Sequence, residues 1–268
     1  MPLLRTAALA LLLACGAGAR ADCTRDIAVP VSANGASIVV DDSGIHGIYP
    51  DVLRSAGPKA GCRFVLTVVP RARQVAMFEA GSADLLVPAT RTPERDRQGV
   101  FVPMMGHRSM LISLDRRRPP IVSAKQLLER REIRVAVVRG FDYGAQYRAL
   151  VAALTRQGRL FEEVDVSAVV RLMHDGAVDM TIMTPTIFAG AANHEPRVSG
   201  LLERLRMEPI PELPWGMSGA YISRASLLRQ DQDTLRELLE RVAKSNAVLE
   251  AFQRYHRADV LTESVRPR

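Results

Sequence analysis

One helix-to-strand junction occurs twice in the chain, and this repeat constrains the fold more than any other feature. Residues 78–84 and residues 173–179 each join a predicted helix to an apolar predicted strand, and each ends in Gly-x-x-Asp. The two aspartates, Asp84 and Asp179, are 95 positions apart in a chain of 268 residues. Because the elements on either side also match, the repeat favours a duplicated α/β unit and therefore two similar lobes.

Short strands rich in valine and isoleucine alternate with helices in both halves. This order predicts an α/β fold in which each lobe has a central, mostly parallel sheet with flanking helices. A strand at 215–223 and one or two helices at 231–257 are too little for a third core, so they should pack onto one of the two lobes. The predicted strands of the two halves are 27–31, 64–69, 85–87, 132–138, 161–166 and 180–183.

The first 21 residues have the pattern of a cleaved signal peptide. Arg5 precedes an apolar run at 7–15, and residues 19–21 form a small-x-small cleavage pattern. The run is shorter than the roughly 20 residues that a membrane-spanning helix needs. We therefore expect an exported, periplasmic protein that begins near Asp22. An alternative is a lipoprotein in which Cys15 becomes the acylated N-terminus.

The charge pattern does not indicate a nucleic-acid partner. The formal net charge is +7, but the basic residues are nearly all arginine and are scattered among acidic residues. The five histidines lack the spacing of metal ligands, so neither a metal nor a cofactor is expected.

Two cysteines remain after the leader, and both come just before predicted strands. Cys23 precedes the strand at 27–31, and Cys62 precedes the strand at 64–69. If these strands are parallel neighbours, their starting ends lie side by side, within the reach of a disulfide. We expect a Cys23–Cys62 bridge; the alternative is two free thiols.

Several motifs, in this order and spacing, resemble the type II periplasmic solute-binding proteins, in particular the polar amino-acid-binding family of ABC importers (bacterial extracellular solute-binding family 3). The resemblance implies two α/β lobes joined by two hinge crossings, with lobe one at 24–113 plus 214–268 and lobe two at 114–213. It also implies a monomer whose partners are a small-molecule ligand and an ABC permease in the inner membrane. The motifs are at residues 47–53, 61–64, 81–84, 90–95, 101–103 and 252–256.

In this family, the loop after the third strand binds a ligand carboxylate through hydroxyls, backbone N–H groups and an arginine. Here that loop contains Thr90, Thr92 and Arg95. Arginine suits this role because its planar guanidinium donates two parallel hydrogen bonds to a carboxylate. The alternative for Arg95 is a surface position paired with a neighbouring acid. Tyr49, in the motif at 47–53, is a further candidate ligand contact.

Other candidates follow strand ends, where ligands bind in open α/β sheets. Arg71 and Arg73 come after the second strand. One or both could face the cleft; the alternative is that they extend into solvent. Gly140 follows the fourth strand, and its backbone can approach a ligand. Phe141 and Tyr143 could form an aromatic wall or pack inside the lobe. Asp142 could cap a helix or contact the ligand.

The sequence departs from the amino-acid binders at one important position. An aspartate that pairs with the ligand ammonium in that family is replaced here by Thr184. A threonine accepts a hydrogen bond but brings no charge, and charge-assisted hydrogen bonds contribute about 1.5–3 kcal/mol against about 1 kcal/mol for neutral ones. A carboxylate ligand without an amine therefore becomes an option.

These observations predict a binding protein and not an enzyme. Two alternatives remain on the same scaffold: a ligand-presenting sensor partner of a signalling receptor, and a small dehydratase similar to cyclohexadienyl dehydratase. For the dehydratase, Asp142 is the candidate catalytic acid.

Overall fold

The computed structural model describes residues 22–114 and 117–268. The predicted signal peptide and the alternative lipidation site at Cys15 lie outside the described residues. Within the described ranges, no helix is long and apolar enough to cross a membrane.

The described chain forms short strands connected largely by helices. The strands are β1 (Ile27–Val31), β2 (Val39–Asp41), β3 (Gly44–His46), β4 (Phe64–Val68), β5 (Leu85–Thr90), β6 (Gly99–His107), β7 (Met110–Ser113), β8 (Val135–Val138), β9 (Leu160–Glu163), β10 (Met180–Met183), β11 (Arg206–Glu208), β12 (Gly216–Ser223) and β13 (Val265–Arg266). The helices are α1 (Ile48–Ala56), α2 (Arg71–Glu79), α3 (Pro93–Gln98), α4 (Ala124–Glu129), α5 (Ala145–Arg156), α6 (Val166–His174), α7 (Pro185–Asn193), α8 (Arg229–Lys244), α9 (Ala247–Tyr255) and α10 (Ala258–Thr262). Short 3-10 turns lie at Gly57–Ala60, Pro196–Val198 and Leu201–Arg204.

Two main groups of strands form two lobes. In lobe one, β1 pairs with β4, and a four-stranded sheet has the order β13-β6-β12-β5. In lobe two, a five-stranded sheet has the order β11-β7-β10-β8-β9. The core of lobe one extends from β1 to helices α8 and α9, while the core of lobe two lies on both faces of its sheet. The α/β two-lobed fold is as predicted.

The strand pairing is mixed, whereas the sequence predicted mostly parallel sheets. In lobe one, β5 and β6 run in the same direction, but β12 lies between them and is antiparallel to both. In lobe two, β8 is parallel to β9 and β10, while β7 is antiparallel to β10 and β11. The physical reason is that β12 and β7 enter their sheets from chain crossings between the lobes instead of from a crossover helix.

The repeated junction has the same structural role in both lobes. Asp84 accepts a hydrogen bond of 2.7 Å from the backbone N–H of Ala28, in β1, and also binds Arg25. Asp179 accepts one of 2.8 Å from the backbone N–H of Arg134, just before β8, and also binds the side chain of Arg134. Each aspartate therefore fixes the beginning of the neighbouring strand.

The predicted disulfide is present. Cys23 and Cys62 are bonded, with their Cα atoms 4.9 Å apart. Their strands are parallel neighbours, with Ile27 opposite Phe64, so the two cysteines lie at the same edge. The bridge therefore joins the beginnings of β1 and β4.

The chain changes lobes twice. The first change lies between β6 and β7, at residues 108–109, and the second lies between β11 and β12, at residues 209–215. The predicted first boundary, at residue 113, falls at the end of β7, whose ladder partners belong to the sheet of lobe two.

Candidate functional site

A cavity lies between the two lobes, at the ends of strands from both sheets. Lobe one contributes the loop after β1, the first turn of α2 and the ends of β5 and β6. Lobe two contributes the loop after β8 and the first turn of α7. The empty volume is about 530 Å³, including the part that is open to solvent. Clefts of this position and shape are the usual sites for small ligands in open α/β folds.

Arg71, the first residue of α2, is the arginine that lines this cavity. Its side chain is buried, and its Nη1 donates to Gln74 Oε1 at 2.8 Å and to the carbonyl of Pro88 at 3.2 Å. Its Nε has no hydrogen-bond partner in the described part of the chain. No described carboxylate lies within ion-pair distance of it. Arg71 is therefore a buried cation whose Nη1 is bonded within the protein and whose Nε is left for a ligand.

Gln74 holds Arg71 in this orientation. Gln74 is buried three residues further along α2, on the same face of the helix. Its Nε2 donates to the carbonyl of Pro30, in β1, at 2.8 Å and to the carbonyl of Val87, in β5, at 3.2 Å. Gln74 thus ties Arg71 to two strands. Burial, and then the charge of Arg95, lower the pKa of Arg71 to about 9, so it remains protonated at neutral pH.

His107, at the end of β6, is a buried polar residue between the lobes. Its Nε2 lies 3.4 Å from Thr90 Oγ1 in lobe one, and its Nδ1 lies 3.3 Å from Thr184 Oγ1 in lobe two. Burial lowers the pKa of His107 to about 4, so the ring is neutral at pH 7. His107 therefore contributes a hydrogen-bonding ring without a charge.

Two more polar atoms face the cavity without a hydrogen bond of normal geometry in the described residues. These atoms are Asn34 Oδ1, in the loop after β1, and the Tyr143 hydroxyl. Asn34 Oδ1 and Arg71 Nε are unsatisfied, while the Tyr143 hydroxyl is close enough to Thr184 to interact with it. Buried polar groups are normally hydrogen-bonded, so these atoms are available to a ligand or to ordered water in the cavity.

Four predicted site residues do not line the cavity. Arg95 is buried, and its Nη1 donates to the carbonyl of Thr90 at 3.0 Å. Thr92 caps α3 by accepting a hydrogen bond from the backbone N–H of Arg95, at 3.3 Å. Arg73 is exposed. Gly140 contacts α2 of lobe one, where an added Cβ would lie 3.0 Å from the Cα of Ala72.

The other predicted residues do meet at the cavity: Tyr49, Arg71, Thr90, Phe141, Asp142, Tyr143 and Thr184. Asp142 has a different role from the predicted helix cap. Helix α5 begins after Gly144, and Asp142 Oδ1 accepts from the backbone N–H of Gly144 at 2.8 Å, ahead of the helix. Its Oδ2 accepts from Arg148 Nη1 at 2.7 Å.

Sequence reasoning missed several lining residues: Asn34, Ser37, Met105, His107, Thr186, Ser218 and Phe252. Most come from elements that were not predicted or not assigned to the site, above all β6 and α7. No local pattern distinguishes His107 from a surface histidine, because its partners Thr90 and Thr184 are 17 and 77 positions away.

The described residues contain no group of three side chains that could hold a metal ion. The polar side-chain groups at the cavity are one guanidinium, one carboxylate, hydroxyls, a neutral imidazole and an amide. Such groups donate and accept hydrogen bonds, and the arginine additionally attracts an anion.

Comparisons with known proteins identify the fold. No protein-family model and no curated protein matches the chain. Solved structures do match. One is a histidine kinase sensor domain with similarity to periplasmic binding proteins, with a TM-score of 0.68 and 16% identity over 86% of this chain and 96% of the other.

Two further matches are binding proteins. The substrate-binding protein of an amino acid ABC transporter has a TM-score of 0.64 and 16% identity over 86% of this chain and 99% of the other. An ancestral amino acid-binding protein, a precursor of cyclohexadienyl dehydratase, has a TM-score of 0.66 and 14% identity over 87% and 96%. The chain therefore has the two-lobed fold of type II periplasmic binding proteins. Amino-acid-binding and ABC-transporter proteins are among its structural neighbours, in agreement with the resemblance seen in the sequence.

Proposed function

We propose that the chain is a solute-binding protein that captures a small carboxylate-bearing molecule, an amino acid or a related organic acid, between its two lobes. The observation that carries this proposal is Arg71, a buried guanidinium at the inter-lobe cavity whose Nε is unpartnered among the described residues. A buried charge that loses its partner costs a protein about 3–5 kcal/mol. A ligand carboxylate would supply the partner through charge-assisted hydrogen bonds.

Capture would be followed by delivery to an ABC permease in the inner membrane. The support is the likeness in fold to the substrate-binding protein of an amino acid ABC transporter, together with the signal peptide predicted at residues 1–21. In this proposal the protein works in the periplasm as a monomer. The likeness to a histidine kinase sensor domain supports a second candidate role, in which the loaded protein is presented to a signalling receptor.

Asp142, the candidate acid of the dehydratase alternative, has a structural role in its loop. A dehydratase needs a group that can give or take a proton at the substrate, and Asp142 is the one carboxylate among the described residues that line the cavity. Both of its oxygens already accept hydrogen bonds, from Gly144 and Arg148. These contacts order the loop before α5 and pair Asp142 with Arg148.

Hinge closure would be the working motion. A ligand that contacts both lobes shifts the equilibrium between open and closed forms toward the closed form. Three contacts between the lobes support a closed arrangement. Arg148 of lobe two pairs with Glu94 of lobe one at 3.2 Å, Gly140 lies against Ala72, and Gly190 lies against Ala36.

A thermal-shift screen against amino acids, dicarboxylates and aromatic acids tests this function. A ligand at 100 times its Kd stabilises the protein by about 2.7 kcal/mol, which corresponds to a rise in Tm of about 5–10 °C. The methyl ester of each stabilising acid is the matched control and should have a much smaller effect. A screen in which no carboxylate raises the Tm would contradict the proposal.

A further inference from the structure

The charged groups around the cavity favour an anion without an attached cation. Arg71 and Arg95 are both buried, and neither forms an ion pair with a described carboxylate. Their charges act on each other, since Arg95 lowers the pKa of Arg71. An ammonium brought into this cavity would add a third positive charge beside these two, which Coulomb repulsion opposes.

The one carboxylate that lines the cavity in the described part of the chain, Asp142, is already paired with a cation of the protein. Its Oδ2 accepts from Arg148 at 2.7 Å and its Oδ1 from the backbone N–H of Gly144 at 2.8 Å, so its negative charge is balanced within the protein. The neighbouring carboxylate Glu94 is half exposed and also pairs with Arg148. An ammonium has three N–H donors and no acceptor, and its burial is costly without an anionic partner.

The remaining acceptors at the cavity are neutral. Thr90 Oγ1 and Thr184 Oγ1 are both within hydrogen-bond distance of His107, at 3.4 and 3.3 Å. The carbonyl of Pro88 accepts from Arg71. Asn34 Oδ1 and the hydroxyls that line the cavity are further neutral acceptors, and hydrogen bonds from an ammonium to neutral oxygens are weaker than those to a carboxylate.

Aromatic side chains supply the apolar part of the cavity. The face of Phe141 is already covered by Arg71, whose Cζ lies 5.9 Å from the ring centroid. Tyr49 and Phe252 meet edge to face, with centroids 6.5 Å apart. With Met105, these side chains form an apolar surface at the cavity that suits the carbon body of a ligand.

From these contacts we infer that the site selects small organic acids that carry a carboxylate and no ammonium group, and discriminates against α-amino acids. The carboxylate lies at Arg71, and the apolar body lies against the aromatic side chains. This inference rests on the proposed function, because it specifies the ligand of the same site.

Matched ligand pairs that differ only in the amino group test the inference. Calorimetry on the full protein compares L-phenylalanine with 3-phenylpropanoate, L-leucine with 4-methylpentanoate, and L-glutamate with glutarate. In every pair with a measurable Kd, the acid without the amine should bind at least tenfold more tightly.

The possible outcomes separate the two claims. If the amino acid binds as tightly as its partner, or more tightly, the inference is overturned while carboxylate capture stands. If neither member of any pair binds below 1 mM, roughly the weak end of specific ligand binding, carboxylate capture fails and the inference fails with it.

Discussion

At the scale of single residues, burial distinguishes two arginines that are equally good candidates for a ligand contact in the sequence. Arg71 and Arg73 both follow β4, and no composition or charge pattern distinguishes them. Residues two apart lie on nearly opposite sides of a helix, so only one of the two can face the cavity. Gln74, on the face of Arg71, is the signal that could have identified it, because a buried amide can hold a guanidinium in place.

His107 provides a prediction about pH. Its pKa falls from 6.5 to about 4 on burial, so between these pH values the unfolded chain binds a proton at this ring that the folded protein does not bind. The free energy of unfolding should therefore decrease as the pH falls from about 7 to about 4, by up to about 1.4 kcal/mol per pH unit for one such group. Urea denaturation at several pH values should show a shallower dependence in His107→Gln than in the wild type.

Replacement of an exposed histidine, His174→Gln, is the matched control for this measurement. Equal pH dependence in His107→Gln and in the wild type would show that the ring is not held in its neutral form.

At the scale of elements, much of the fold could be predicted because its signals are local. The alternation of strands and helices, the repeated junction and the disulfide all depend on short patterns next to each strand. The position of β12 between β5 and β6 could not be predicted, because its ladder partners are more than 100 residues away in the sequence. The strand predicted at 161–166 ends at Glu163, since Asp165 caps α6 by accepting from the backbone N–H of Ala168 at 2.8 Å.

The two junction aspartates should differ in their contribution to stability. The side chain of Asp84 is 2% exposed, whereas that of Asp179 is 41% exposed. Burial strengthens hydrogen bonds to a charged group, so we expect Asp84→Asn to lower the free energy of unfolding by about 2 kcal/mol and Asp179→Asn by less than about 1 kcal/mol. Urea denaturation of both variants measures this. Equal losses would contradict the unequal burial.

Helix α7 should be sensitive to added volume where it meets lobe one. A Cβ at Gly190 would lie 2.3 Å from the backbone nitrogen of Ala36 and 3.0 Å from the Cα of Gly35. Gly190→Ala should therefore hold the lobes apart and weaken ligand binding at least tenfold, since closure couples to binding. Calorimetry gives the affinity, and small-angle scattering should give a larger radius of gyration. Asn193→Ala, at an exposed position of the same helix, is the control. Unchanged affinity in Gly190→Ala would mean that this contact is not part of closure.

At the scale of the whole molecule, the disulfide restrains the unfolded chain. It closes a segment of 39 residues, which corresponds to about 3–4 kcal/mol on the chain-entropy model and to a change in Tm of about 10 °C. Reducing agent should lower the Tm of the wild type by this amount and leave a Cys23→Ser/Cys62→Ser double variant unaffected. A wild-type melt that is identical with and without reductant would contradict the contribution of the bridge.

The two lobes together form a site that neither forms alone. Arg71 and His107 come from lobe one, while Phe141, Tyr143 and Thr184 come from lobe two. The resemblance in the sequence predicted the position of this site between the lobes, but it favoured Arg95 as the carboxylate-binding residue. In the structure the free guanidinium donor at the cavity belongs to Arg71, and Arg95 donates to the backbone behind it.

The most direct test of the account is the affinity of a carboxylate ligand for Arg71→Gln and for Arg73→Gln, measured by calorimetry against the wild type. Arg71→Gln should weaken binding at least thirtyfold, because it removes a buried charged partner of the ligand, which corresponds to about 2 kcal/mol or more. Arg73→Gln removes the same charge from an exposed position two residues away and should change Kd by less than about threefold. Equal effects of the two substitutions, or no effect of Arg71→Gln, would contradict the central claim that a carboxylate is bound at Arg71 between the lobes.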